Sequence, residues 1–152
     1  MRLNARVDYG LRAVVELAAS GATPDRPVTA ERLATAQDIP AKFLESILLQ
    51  LRRGAIVSSQ RGPEGGYWLA RPADEISLAD VIRVIDGPLA NIRGQRPEDL
   101  GYQGAAEALQ EVWIALRASE REILESVTVG HVARRQLPRR IRSLSAHPEA
   151  WV

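Results

Sequence analysis

The chain has 152 residues, 45% apolar and 26% charged, the size and composition of one ordinary soluble domain rather than an enzyme with separate cofactor and substrate lobes. It contains no cysteine and only two histidines, His131 and His147, which excludes disulfides, thiolate nucleophiles and thiolate-held zinc or iron–sulphur clusters, and leaves no His pair at metal-ligand spacing, with carboxylates as the remaining ligands for a hard cation. The net charge is +1, and with neither a run of ~18 apolar residues nor a signal peptide, a cytoplasmic protein with no membrane partner and no cofactor is expected.

In chain order, Leu3, Val7, Leu11, Val14, Val15 and Ala18 recur at three- and four-residue steps and predict an amphipathic helix over about 3–20. Gly21 ends it, and Pro24 and Pro27 mark a loop. Thr29 is a good N-cap with Glu31 in the first turn. The short helix that carries Leu33 and Ala34 stops near Gln37 and Asp38. Ile39 is the apolar residue of the turn, and Pro40 opens the next helix, where its missing N–H costs nothing.

That next helix, about 40–53, is the most informative segment. At 100° per residue, Phe43, Leu44, Ile47, Leu48 and Leu51 share one face, while Lys42, Glu45, Ser46, Leu49 and Arg53 lie opposite. A short helix, a tight turn and a second helix with one apolar face is the helix-turn-helix pattern. Leu49 has no core role in it. Gly54 caps the helix, and strands are expected over 55–60 and 67–70, joined by a loop of Gly62, Pro63, Glu64, Gly65 and Gly66. A hairpin in that place is the wing of a winged helix-turn-helix.

Ser77 with Asp80 three residues on reads as a capping box that opens a helix bearing Leu78, Val81, Ile82 and Ile85, and Gly87-Pro88 stops it. A long irregular stretch over 88–104 follows. The longest helix, about 105–127, carries a broad apolar stripe of Leu109, Val112, Trp113, Leu116, Ile123, Leu124 and Val127. Thr128 caps one more short helix over about 129–136, and the Arg-rich tail reads as weakly ordered. The expected fold is therefore mainly α with a small β-hairpin: a winged helix-turn-helix domain over 1–72, connector and dimerisation helices over 73–133, and a tail over 134–152. Charge follows these divisions. Residues 1–72 hold ten basic and seven acidic side chains, 73–133 hold five and eleven, and 134–152 hold five and one, so excess positive charge at the N-terminal module suggests a polyanion partner there.

The Gly-rich loop is not a nucleotide site: it lacks a Gly-Lys-Ser/Thr ending and joins two strands. In a wing, Gly65 and its neighbours let the tip turn tightly and bring backbone close to a DNA strand, and Arg61 at the base has reach into a minor groove. On the helix 40–53, Lys42 can pair with phosphate or guanine, Glu45 can accept from cytosine, Ser46 can bond either, and Arg53 lies where backbone contacts fall. Arg2 and Arg6 could lie along a phosphate strand, with Tyr9 beside them suited equally to core packing. No Ser/His/acid arrangement is present, so no enzyme is expected. A winged-helix module for protein–protein contact is the alternative reading, distinguished by its lack of salt-dependent DNA affinity.

Met1-Arg2-Leu3 ahead of a helix with Tyr9, the run from Ile39 to Glu45, and the run from Ile56 to Tyr67 together resemble the Rrf2 family of bacterial winged-helix transcription regulators, the IscR-, NsrR- and CymR-like proteins. The resemblance covers about 1–135. It implies a homodimer on a palindromic operator, in which Glu45 and Arg61 contribute base or groove contacts with Lys42 and Phe43 beside them. It also implies dimerisation through the helix that carries Leu109, Val112, Trp113, Leu116 and Ile123. Iron–sulphur members carry three cysteines in the stretch matching 88–104, and some a further His ligand where this chain has Gln110. With no cysteine, cluster binding does not carry over. A protein or small-molecule effector remains open, with Arg93, Arg96 and Tyr102 as its candidate site.

Overall fold

A computed structural model describes residues 1–152. Helix α1 spans Ala5–Ala19 and starts later than the apolar spacing suggests. Asn4 is its N-cap, its side chain accepting from the Val7 N–H at 3.0 Å, which leaves Leu3 outside the helix and exposed. Helix α2, Ala30–Gln37, is capped by Thr29, and the chain turns at Asp38, which adopts left-handed φ and ψ of 50° each. Helix α3, Ala41–Arg53, follows with Pro40 at its N-cap. Buried Ile39 fills the corner between them.

Leu44, Ile47, Leu48 and Leu51 of α3 pack with Val7, Val14 and Leu17 of α1 and Leu33 of α2 in one core. Burying side chains of that size stabilises by roughly 1.5–3 kcal/mol each, so α3 is held rigidly by one face. Phe43, grouped with that face in the sequence, is half exposed. It lies at the edge of the buried arc, about 90° around the helix from its centre, while the adjacent Leu44 points into the core.

Strands β1, Val57–Gln60, and β2, Gly66–Leu69, form the antiparallel hairpin, with Val57 opposite Leu69 and Gln60 opposite Gly66. The first strand begins two residues later than expected because Ala55 has a φ of 57° and the Ile56 N–H still bonds back to Leu51. Val28 forms a separate antiparallel bridge to β2, exchanging both backbone bonds with Tyr67 at 2.7 and 2.9 Å, and so ties the hairpin to the body.

Helix α4, Leu78–Asp86, opens with the reciprocal box in which Ser77 and Asp80 each accept from the other's backbone N–H. The stretch 88–104 is more organised than expected: it holds an Ile92–Gln95 bridge and a 3-10 turn over Pro97–Asp99, with Pro97 and Leu100 buried. Helix α5 runs over Leu109–Ser126, shorter than the predicted 105–127 because Gly104, with a φ of 59°, opens a separate 3-10 turn. The chain then returns beside the start of α4, where the Leu78 N–H bonds Val127 and the Val129 N–H bonds Ile76. Helix α6, Val129–Ala133, is capped by Thr128 and packs on α1.

The tail departs from its expected weak order. Helix α7 occupies Arg139–Ala146, and a final 3-10 turn over Pro148–Trp151 is closed by the Trp151 indole donating to the Ser145 carbonyl at 2.7 Å. Pro138 directly ahead and a run of good helix formers account for the local order, but no residue of the helix is buried and its tie to the body is the Arg140–Glu122 ion pair.

Candidate nucleic-acid interface

The core-facing side of α3 determines what its other side can do. With Leu44, Ile47, Leu48 and Leu51 buried, the side chains of Lys42, Glu45, Ser46, Leu49 and Arg53 all stand exposed on the outer surface. The face is pinned from both flanks. On one side Arg6 of α1 donates to the Ser46 hydroxyl at 3.2 Å and to the Gln50 side-chain carbonyl at 3.0 Å. Gln50 in turn donates to the carbonyls of Val84 and Ile85 at the end of α4, each at 3.0 Å. On the other side Arg52 donates to Ser59 of β1 at 3.3 Å, joining helix to wing.

The wing lies beside this face. Arg61 is exposed at its base, and Thr29, Ala30, Leu49, Arg52 and Gly65 border the groove between wing and helix. Gly65 is a conformational requirement as much as a contact, since a Cβ there would stand 2.1 Å from the Gln60 carbonyl oxygen. Gly62, with a φ of 109°, completes the tip, and the Gly65 N–H bonds its carbonyl at 3.0 Å.

The sequence-predicted residues divide accordingly. Arg6, Lys42, Glu45, Ser46, Arg53 and Arg61 share the α3–wing side, with Phe43 at its edge. Arg2 does not join them: it borders a separate cleft of about 260 Å³ with Ile82, Asp86, Leu89 and Glu120. Tyr9 is half-buried against the core and under the Arg12 guanidinium, 4.9 Å from its ring centre. Arg12 also donates to the Gln37 carbonyl at 2.6 Å, holding the end of α2 in place. The roles of Gln50, Arg52 and Arg12 are absent from the sequence reading, because each depends on a partner in another element that spacing within one helix does not reveal.

On α5, Leu109, Val112, Leu116 and Ile123 form an exposed row, each between 39% and 53% accessible. Trp113, expected in that row, turns instead toward its own connector and donates to the Tyr102 hydroxyl at 3.0 Å. The three effector candidates do not converge. Tyr102 is engaged by Trp113, Arg93 sits exposed on a tight turn with a φ of 52°, and Arg96 alone opens on a cleft. That cleft, about 290 Å³, is lined by Arg83, Arg96, Arg117 and Arg121 with Glu98. Arg117 pairs with Glu98, and Arg83 and Arg121 share Glu125. The Glu98 carboxyl is held below the usual range by its own backbone N–H and by Arg117, and that of Glu125 by hydrogen bonds from Arg83 and Arg121.

Comparison with known proteins gives a consistent result. The family model for Rrf2, described as an iron-dependent transcriptional regulator, matches residues 3–135. A Mycobacterium tuberculosis H37Rv protein bearing the name HTH-type transcriptional regulator Rv1287 is 50% identical over 147 residues, 95% of this chain and 89% of its own. CymR of Bacillus subtilis is 30% identical over 133 residues, 88% of this chain and 90% of its own. The structure of that CymR, described as the global cysteine regulator, superposes with a TM-score of 0.73 over 88% of this chain and 97% of its own. IscR of T. potens superposes at 0.69 with 25% identity, over 100% of this chain and 97% of its own. All these relatives are regulators, and none is an enzyme by name.

An iron–sulphur cluster does not fit the residues present. There is no thiolate to hold one, no three His, Asp or Glu side chains converge as a metal site, and Gln110 spends its amide on the carbonyls of Pro97, Glu98 and Leu100 at 2.7–3.3 Å.

Proposed function

The chain belongs to the Rrf2 family of transcriptional regulators, and from that premise we propose that it works in the cytoplasm as a homodimeric, sequence-specific repressor on a palindromic operator, without an iron–sulphur cluster. The observation that carries this reading is the outer face of α3, where Lys42, Glu45, Ser46 and Arg53 stand exposed beside a wing bearing Arg61. A helix buried on one side and polar on the other, next to a Gly-tipped hairpin, suits major-groove entry with the wing on the neighbouring backbone or minor groove. Glu45 then accepts from a cytosine amine and Lys42 meets guanine acceptors or phosphate. Arg6 and Arg53 take phosphates, and Arg61 takes the minor groove.

The exposed apolar row of α5 supports self-association, since a twofold axis places one such row against its copy. It would set the two α3 helices about 34–36 Å apart on one face of the duplex. The Arg96 cleft supports a small anionic effector bound between the connector and α5. The test of the central reading is a mobility shift on an operator enriched from random DNA. Arg61→Ala is expected to cost about 1–3 kcal/mol of specific binding. Unchanged affinity would remove Arg61 from the interface, and failure of the chain to enrich any sequence would overturn the proposal.

A further inference from the structure

Leu49 is the apolar residue in the middle of the outer face of α3, and the proposed interface leaves it unexplained. It stands 38% exposed on the face opposite the buried set Leu44, Ile47, Leu48 and Leu51. Steps of four, three and four residues place Lys42, Ser46, Leu49 and Arg53 in one row along the helix. Leu49 is the apolar member of a row otherwise charged or hydroxylic, and it borders the groove shared with the wing. A single exposed leucine on an arbitrary surface needs no account. This one occupies the middle of the face that the proposed function lays into the major groove, so duplex would cover it.

What Leu49 can meet there is narrow. Its side chain has no donor and no acceptor, so a guanine O6 or N7, an adenine amine or a cytosine amine beneath it would lose water and gain nothing. The one apolar group that a base edge presents in the major groove is the C5 methyl of thymine. We infer that Leu49 specifies thymine at one position of each half-site, by packing against that methyl. The inference rests on the DNA-binding reading above. Four residues of helix, about 6 Å, separate Leu49 from Glu45, so the thymine and any cytosine read by Glu45 are different base pairs.

The experiment uses the full chain. An operator is enriched from random DNA, and each of its thymines is replaced in turn by deoxyuridine, which removes only the methyl. Burial of one methyl is worth about fourfold in affinity. Wild-type protein is therefore expected to lose about fourfold at one position per half-site, and about fifteenfold when both half-sites are changed. Leu49→Ala keeps a good helix former at an exposed site and is expected to bind the thymine and deoxyuridine operators equally. Leu49→Gln, re-selected on random DNA, is expected to move the preference at that position toward adenine, which a glutamine reads with two bonds. An enriched operator with no deoxyuridine-sensitive thymine, or one whose sensitivity survives in Leu49→Ala, overturns the role of Leu49 and leaves the regulator reading intact. If no sequence is enriched at all, the DNA-binding reading fails first.

Discussion

The steepest consequence of the proposed interface is its response to salt. Arg6, Lys42, Arg53 and Arg61 face the α3–wing side, and none of the four takes part in the chain's ion pairs. Their charge is therefore available to the duplex, that of Arg6, Lys42 and Arg53 to phosphates and that of Arg61 to the negative potential of the minor groove. Four cations per protomer give about eight in a dimer, and each phosphate neutralised releases about 0.9 of a counterion. The logarithm of affinity should fall against the logarithm of salt with a slope of about −7. Raising salt fourfold, for example from about 50 to about 200 mM, should then weaken binding by roughly 10⁴. Fluorescence anisotropy on a labelled duplex over a salt series measures the slope directly. Arg53→Ala, which alters two positions in the dimer, should reduce its magnitude by about 2 and weaken specific and random DNA alike. A slope shallower than about −3 would mean that this face is not laid along a polyanion, and a protein-contact module would become the better reading.

Three further outcomes test other parts of the molecule. Leu116→Glu puts a charge into the exposed row of α5 and should convert the dimer to a monomer in sedimentation at micromolar concentration, while an unchanged dimer would place the interface elsewhere. Gln50→Leu removes two bonds donated to the end of α4 and the acceptor used by Arg6. It should cost about 2 kcal/mol, a fall of about 4–8 °C in Tm, and an unmoved Tm would show that the bridge carries no load. Citrate or inorganic pyrophosphate should raise the Tm of the wild type more than that of Arg96→Ala, and equal shifts would remove the Arg96 cleft as an anion site.

The elements that local rules govern were legible in the sequence. Thr29, Ser77 and Thr128 all cap the helices assigned to them, because a capping hydroxyl and the N–H it bonds lie three residues apart. The α3 face was legible for the same reason, since its burial follows from the 3.6-residue period. Phe43 fell on the wrong side of the line because periodicity says which direction a side chain points and not where the core ends. Trp113 shows the converse: its position suits the apolar row, but a hydroxyl eleven residues earlier claims its indole N–H. Arg6 lies in α1 and reaches α3, whereas Arg2 precedes the Asn4 cap, outside the helix, and borders a different cleft. The apolar spacing that begins at Leu3 runs on past that cap and so does not separate the two.

The connector carries the same lesson into function. Its length and its glycines and prolines indicate a loop, and its internal bonds are confined to the Ile92–Gln95 bridge and the turn over Pro97–Asp99. The remaining order comes from α5. The Gln110 amide gathers three carbonyls of the 97–100 turn onto α5, Arg117 pairs with Glu98, and Trp113 bonds Tyr102. Two of these three ties come from uncharged side chains, so they do not weaken with salt as a surface ion pair does. An amide that accepts this geometry presents N–H groups to the turn, where a metal ligand would have to present a lone pair. Turned this way, the Gln110 amide directs no lone pair at the turn, so the contact that orders the connector is not one that holds a cation there.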